Sequence, residues 1–382
     1  MADQSQPAAS ARRIAFFISP HGFGHAARAA SIMEALTAID PAFHFEIFTS
    51  VPDWFFRQCH SFSFKYHYML TDIGLVQQTP FQADLAATVR ALKQFLPFDP
   101  TKIATRAETL RQQNCELVVC DIAPLGIRIA QEAGVPSVLI ENFTWDWLYH
   151  GYSNKKLKEF NLYLQPIFAD ASYHIQAQPV CQSDPAALSA APASRKVKMT
   201  SREIRRRLGL SDSCRVVMIT AGGAPKNYSF IDKLKRVTDM HFILPGSADI
   251  ESRQDKLILL PDNSVYFHPD LINAADAVVG KVGYSTIAEI YQAGVPFGYV
   301  ARPDNREMQP LVDFIENQMS GMAIAESEFV SGTFIEHLDK LLKIPRSPGN
   351  RPNGADQIAG FITALLKQRK HSQQTNRNTA DG

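Results

Sequence analysis

Two histidines set around two glycines, in the stretch PHGFGHAAR, are the first residues whose types and spacing suit chemistry: His21, Gly22, Gly24 and His25. Histidine is the side chain that gives or takes a proton near neutral pH. His25 stands where the turn passes into a helical pattern, and the positive end of a helix dipole favours the neutral ring that a base must present. His21 precedes the turn and is expected to shape the loop or touch a ligand. Asp121 closes the apolar run CELVVCD, placed either to orient His25 or to cap the next helix. A second constellation lies in AADAVVGKVGYSTIAEIYQAG, where Gly280 ends a strand, Lys281 and Gly283 form a turn, and Tyr284, Ser285 and Thr286 open a helix. The free N–H groups of a helix start suit a diphosphate, with Lys281 adding charge and Ser285 and Thr286 capping or donating. Glu289, one turn in, is either an acceptor for both hydroxyls of a ribose or the acid of a capping box with Thr286. Gly222 and Gly223 in TAGGAP make another glycine turn, which either approaches phosphates or simply joins a strand to a helix.

These residues need elements to hold them. The chain has 382 residues, enough for two domains, with 45% hydrophobic and 20% charged residues, the balance of a globular protein with a real core. A net charge of +1 excludes nucleic-acid binding by a whole-surface field. The five cysteines form no C-x-x-C pair and read as reduced thiols of a cytoplasmic protein. The apolar run IAFFI is too short for a signal segment or a membrane span. Apolar runs RIAFFIS, HFEIFTS, CELVVCD, PSVLIEN and YHIQA alternate with helical patterns such as HAARAASIMEALTAI and GIRIAQEAG, the rhythm of a parallel sheet covered on both faces. The rhythm restarts at RVVMITAGG and continues through HFILPG, SVYFH, DAVVG and PFGYVAR.

The expected organisation is a disordered N-terminus over 1–12 and a first Rossmann-like domain over 13–178. A linker with a basic lead-in helix follows over 179–213, then a second Rossmann-like domain over 214–354. A C-terminal helix over 355–370 and a disordered polar tail over 371–382 complete it. The cluster Arg195 to Arg207 is either a phosphate or membrane patch or, more simply, a solvated helix face. The aromatics Trp145, Trp147, Tyr149 and Tyr152 stack on a ligand or fill the core. No D-x-D triplet occurs and the histidines lack metal-ligand spacing, so no metal is implied.

Two doubly wound α/β halves leave a cleft between facing strand ends, where ligands of such sheets bind. In PHGFGHAAR, in SREIRRRLGL followed by VVMITAGGAP, and in AADAVVGKVGYSTIAEIYQAGVPFGYVARPDNREMQP, the sequence resembles glycosyltransferases of the GT-B fold. It resembles especially those like the N-acetylglucosaminyltransferase that makes the peptidoglycan lipid intermediate, and the resemblance extends to the glycosyltransferase-like region of plant arabinokinases, over most of residues 13 to 365. The resemblance implies inverting, metal-independent transfer of a sugar from a nucleotide diphosphate sugar, with uridine as the base, to a hydroxyl acceptor. No cofactor and no nucleic acid take part, and membrane contact arises only if the acceptor is a lipid. It implies His25 as the base, Glu289 as the ribose ligand, and Asn305, Glu307 and Gln309 as donor-sugar ligands, although Met308 interrupts the usual adjacent pair. A nucleotide-sugar 2-epimerase of the same fold, or a binding module that has lost transfer, remains an alternative.

Overall fold

The computed structural model describes residues 12–59, 61–78, 82–220, 228–302, 305–347 and 350–380. Seven strands make the first sheet: β1 (Arg12–Ile18), β2 (Phe43–Thr49), β3 (Ser63–Tyr68), β4 (Cys115–Asp121), β5 (Ser137–Glu141), β6 (Tyr173–Ala177) and β7 (Leu188–Ala190). All pairs are parallel, in the order β3-β2-β1-β4-β5-β6-β7. Strand order reverses between β1 and β4, which opens a crevice at their carboxyl ends. Alternate residues of β1 serve two cores. Ile14, Phe16 and Ile18 pack under the helix Gly24–Ile39, while Ala15 and Phe17 face the layer containing the helix Pro124–Ala133. The latter helix ends as its sequence dictates, with Gly134 in the left-handed conformation at φ 69°.

The second sheet comprises β8 (Arg215–Thr220), β9 (Met240–Pro245), β10 (Ser252–Gln254), β11 (Leu257–Leu260), β12 (Ala277–Lys281), β13 (Phe297–Val300) and β14 (Gly321–Ala323). Its order is β10-β11-β9-β8-β12-β13-β14, parallel except for the β10–β11 hairpin. The two Rossmann-like halves face each other across a cleft lined by residues of both.

Three expectations are corrected. SVYFH is no strand: Val265 is 91% exposed, and His268 with Pro269 starts the helix His268–Ala274, proline being suited to the first helical turn. The segment expected as a strandless linker contributes β7 to the edge of the first sheet, its Ala190 buried. The polar tail does not begin at 371, because the C-terminal helix runs from Gly354 to Ala380 with no glycine or proline after Gly360 to stop it. That helix returns to the first half. Its Ile358, Ala359, Ile362 and Leu366 join the core beneath the helix Gly24–Ile39, whose alanines at 26, 27, 29 and 30 let it approach closely.

Candidate active site

His25 is the second residue of the helix Gly24–Ile39, and the turn before it relies on Gly22 at φ 74°, a conformation glycine adopts without cost. Asp121 ends β4 beside Ile18 of β1, so the two central strands deliver the loop and the carboxylate to one place. The His25 Nδ1 lies 2.8 Å from Asp121 Oδ1. An ionised carboxylate only accepts, so Nδ1 carries the proton of the neutral ring and Nε2 keeps a free lone pair. Asp121 caps nothing, since the next helix starts after Ala123 with no side-chain cap. It is instead clamped by Arg28, whose Nε and Nη2 donate to its two oxygens at 2.8 and 2.7 Å. Burial opposes ionisation of Asp121, but the Arg28 charge and the bonds from Arg28 and His25 hold its pKa below the usual carboxylate value.

His21 lines the cleft edge-on to Trp145, ring centres 5.2 Å apart. Burial first, then the charges of His25, Arg302 and Lys281, bring His21 down to about 3, so it stays neutral at any working pH. Trp145 and Tyr149 are core side chains, at 1% and 0% exposure, whereas Trp147 is half-buried beneath the Arg306 guanidinium, 4.0 Å from its ring centre. Trp145 Nε1 donates to buried Asp72, which also accepts from Ser19 Oγ.

The second half supplies the opposite wall. Gly280 sits where any Cβ would strike the Thr220 carbonyl, so only glycine lets β12 and β8 close there. Gly283 is the N-cap of the helix Tyr284–Ala293 and no side chain caps it, which leaves the amides of Tyr284, Ser285 and Thr286 directed at the cleft. Ser285 faces Gly24 across the gap: a Cβ on Gly24 would stand 3.6 Å from Ser285 Oγ. Burial and then the Arg302 charge lower Lys281 to about 8, with Glu307 partly offsetting them.

Glu289 forms no capping box with Thr286, because the helix is capped at Gly283. It is buried, bound by Arg195 Nε at 2.8 Å and by His268 Nδ1 at 2.7 Å. Burial opposes its charge, but Arg195 and His268 outweigh that and hold its pKa down. Arg195 and Arg205 leave the expected solvated face: Arg195 lies between the Phe55 and Phe267 rings, and Arg205 binds Ala274 O and Asp276. Glu307 accepts from Arg302 at 3.0 Å and from Asn305 at 3.2 Å inside the cleft. Gln309 points away, exposed and bonded to Asp313 at 2.7 Å. Gly222 and Gly223 lie outside the described residues.

The structure thus gathers His21, Gly22, Gly24, His25, Lys281, Gly283, Tyr284, Ser285, Thr286, Glu289, Asn305 and Glu307 on one cleft of about 770 Å3, a size that fits a sugar nucleotide. Asp121 lies directly behind it. Arg28, Arg195, His268 and Arg302 were not singled out as site residues from sequence. Arg28 alone left a local signal, three residues after His25 and hence on the same helix face.

The two facing Rossmann-like halves define the GT-B fold. Within it, residues 247–369 match the Glycosyltransferase family 28 C-terminal domain. The chain is 27% identical over 362 residues to L-arabinokinase of Arabidopsis thaliana, covering 91% of this chain but only 34% of that protein. The chain therefore spans about a third of that relative's length. It is 21% identical over 323 residues to the UDP-N-acetylglucosamine--N-acetylmuramyl-(pentapeptide) pyrophosphoryl-undecaprenol N-acetylglucosamine transferase of Bacillus cytotoxicus, covering 76% of this chain and 85% of that one. In structure it resembles the calicheamicin glycosyltransferase CalG4, with a TM-score of 0.61 at 13% identity over 94% of this chain and 98% of the other. Among the described residues, no helix is long and apolar enough to cross a membrane.

Proposed function

We propose that the chain transfers a sugar from a nucleotide diphosphate sugar, a UDP-sugar, to a hydroxyl acceptor in the cytoplasm, with inversion and without a metal ion. The observation that carries this reading is the His25–Asp121 pair, which faces the uncapped helix start at Gly283 across one cleft. The diphosphate rests on the amides of Tyr284, Ser285 and Thr286 beside Lys281. The sugar lies towards Glu307 and Asn305. The acceptor O–H gives its proton to His25 Nε2 as its oxygen attacks the anomeric carbon. The bond from that carbon to the diphosphate oxygen breaks with its electron pair, and attack from the opposite face inverts the centre. Charge gathering on the leaving diphosphate meets the helix dipole and the Lys281 ammonium, a preorganised electrostatic contribution. The donor class is supported by the name of the Bacillus cytotoxicus relative, which specifies a UDP-sugar. A thermal-shift screen of nucleoside diphosphates and their sugars tests the donor site. A ligand at 100 times its Kd adds about 2.7 kcal/mol of apparent stability. Absence of any shift with every nucleotide tried would remove the reading.

A further inference from the structure

Arg28 is held on every side behind the cleft, and the proposed transfer chemistry makes no use of it. It is 1% exposed and spends its guanidinium on four different elements. Nε and Nη2 grip Asp121 at the end of β4, Nη1 donates at 2.8 Å to Asn142 just after β5, and Nη2 lies 3.4 Å from His25 Nδ1 on its own helix. Its flat face rests 4.5 Å from the ring centre of Tyr284, a residue of the donor-side helix whose hydroxyl is bonded in turn to the Ala193 amide. A guanidinium left without a counter-charge does not persist in such a place, and neither does a buried carboxylate. Each needs the other.

The pairing changes what Asp121 can do for His25. In a bare His–Asp pair, the carboxylate orients the ring and also stabilises the protonated form. Here both Asp121 oxygens already face a full positive charge. The other ionisable groups around His25 do not undo this. His21, in the loop after β1, stays neutral, Asp72 is turned to Trp145 and Ser19, and Glu141 at the end of β5 is engaged by His174 and Gln176 at 2.8 and 2.7 Å. Tyr284 offers its ring face, and Lys281 and Arg302 lie across the cleft where the diphosphate and sugar are placed.

We propose that Arg28 is a positioning residue of the transfer reaction: it cancels the charge of Asp121, so that Asp121 fixes the tautomer and direction of His25 without holding a proton on it. Through Tyr284 the same guanidinium sets the base against the donor-side helix. The inference rests on reading His25 as the base, and it assigns Arg28 an effect beyond holding the fold together.

Ring NMR of His25 in the full chain, free of ligand, tests the inference without requiring a substrate. In Arg28→Met and Arg28→Gln the uncompensated carboxylate should raise the His25 titration midpoint by about one unit or more, and Arg28→Lys should bring it back towards the parent. Asp121→Asn and the double variant Asp121→Asn with Arg28→Met ask the same question without stranding a buried carboxylate. The double variant should titrate about one unit above the single. The role would be overturned by midpoints that agree within 0.3 unit, roughly the noise of such a comparison against the expected shift. That applies to the parent against both neutral Arg28 variants, and equally to the Asp121→Asn single against the double. The acid limb of kcat/KM should move with the midpoint. An unmoved midpoint in a chain that transfers sugar sinks the Arg28 role alone. A moved midpoint in a chain that transfers no sugar from any donor sinks the functional reading and the reaction role with it.

Discussion

Arg195 and Glu289 form an ion pair inside the cleft, Nη2 to Oε1 at 2.8 Å, between side chains only 5% and 2% exposed. Arg195 comes from the segment that joins the two halves, and Glu289 from the donor-side helix. A ribose seeking the Glu289 carboxylate therefore meets one that is already engaged on both oxygens, by Arg195 and by His268. On the proposed reading, a nucleotide at Glu289 would either compete with the internal pair for the same atoms or share them from the open side of the cleft.

Truncating this acid has a structural cost as well as a binding cost. Glu289→Ala leaves Arg195 buried without a counter-charge and should lower unfolding stability by about 3 to 5 kcal/mol. Urea denaturation at pH 7 measures the loss, and stability within 1 kcal/mol of the parent, a difference of roughly one typical hydrogen bond, would show that the pair is not holding the segment. The sign with pH follows from its lowered pKa. The contribution is fully present above the unfolded carboxyl value of about 4.3, and it is lost as pH falls through the folded value.

On the proposed reading, Lys281 should set an alkaline limit on turnover. Its pKa is brought down to about 8, so the ammonium is lost as pH rises through that value. Turnover should decline above pH 8, and Lys281→Met should be slower throughout with that limb flattened. Stability behaves oppositely, because the unfolded lysine still binds its proton up to about 10.4. Between these values the parent should gain stability with pH relative to the variant, which paired urea titrations can read.

Metal independence is directly testable. If the helix start and Lys281 carry the charge of the leaving diphosphate, a chelator should leave the transfer rate within about two-fold, far less than the loss of a Lewis acid would cause. A strict need for added magnesium or manganese would exclude the mechanism.

His25 should separate binding from chemistry. His25→Ala is expected to keep nucleotide affinity within a few-fold while transfer falls by about 100-fold to 10,000-fold. Asp121→Asn should also slow transfer, and the double variant should be far less than multiplicatively worse. Single-turnover rates and isothermal binding resolve the two quantities. Fully multiplicative losses would give Asp121 a role of its own.

What could be read from sequence followed the physics of burial. RIAFFIS and CELVVCD announce themselves because strands covered on both faces admit little but apolar residues; Asp121 is legible because it ends the second of these neighbouring strands, and His25 because it follows the glycine turn after the first, at the entry of the next helix. The strand β3, SFKYHY, is an edge with half-exposed side chains and sends no such signal. The β10–β11 hairpin hides in the mixed run SRQDKLILL. Burial of Glu289 was not legible, because its partner Arg195 stands 94 residues away and the local context mimics a capping box. Glu307 and Gln309 were separable only in three dimensions: the helix Met308–Gln318 starts between them and turns Gln309 outwards.

The return of the C-terminal helix to the first half has a consequence for the order of events during synthesis. Ile358, Ala359, Ile362 and Leu366 complete the layer under residues 24–39, so that layer keeps an open apolar flank until residues 354–366 have left the ribosome. The second sheet, encoded in one uninterrupted stretch from 215 to 323, has no such wait. The half made first is therefore completed after the second, and deletion of residues 354–366 would be felt at the histidine turn.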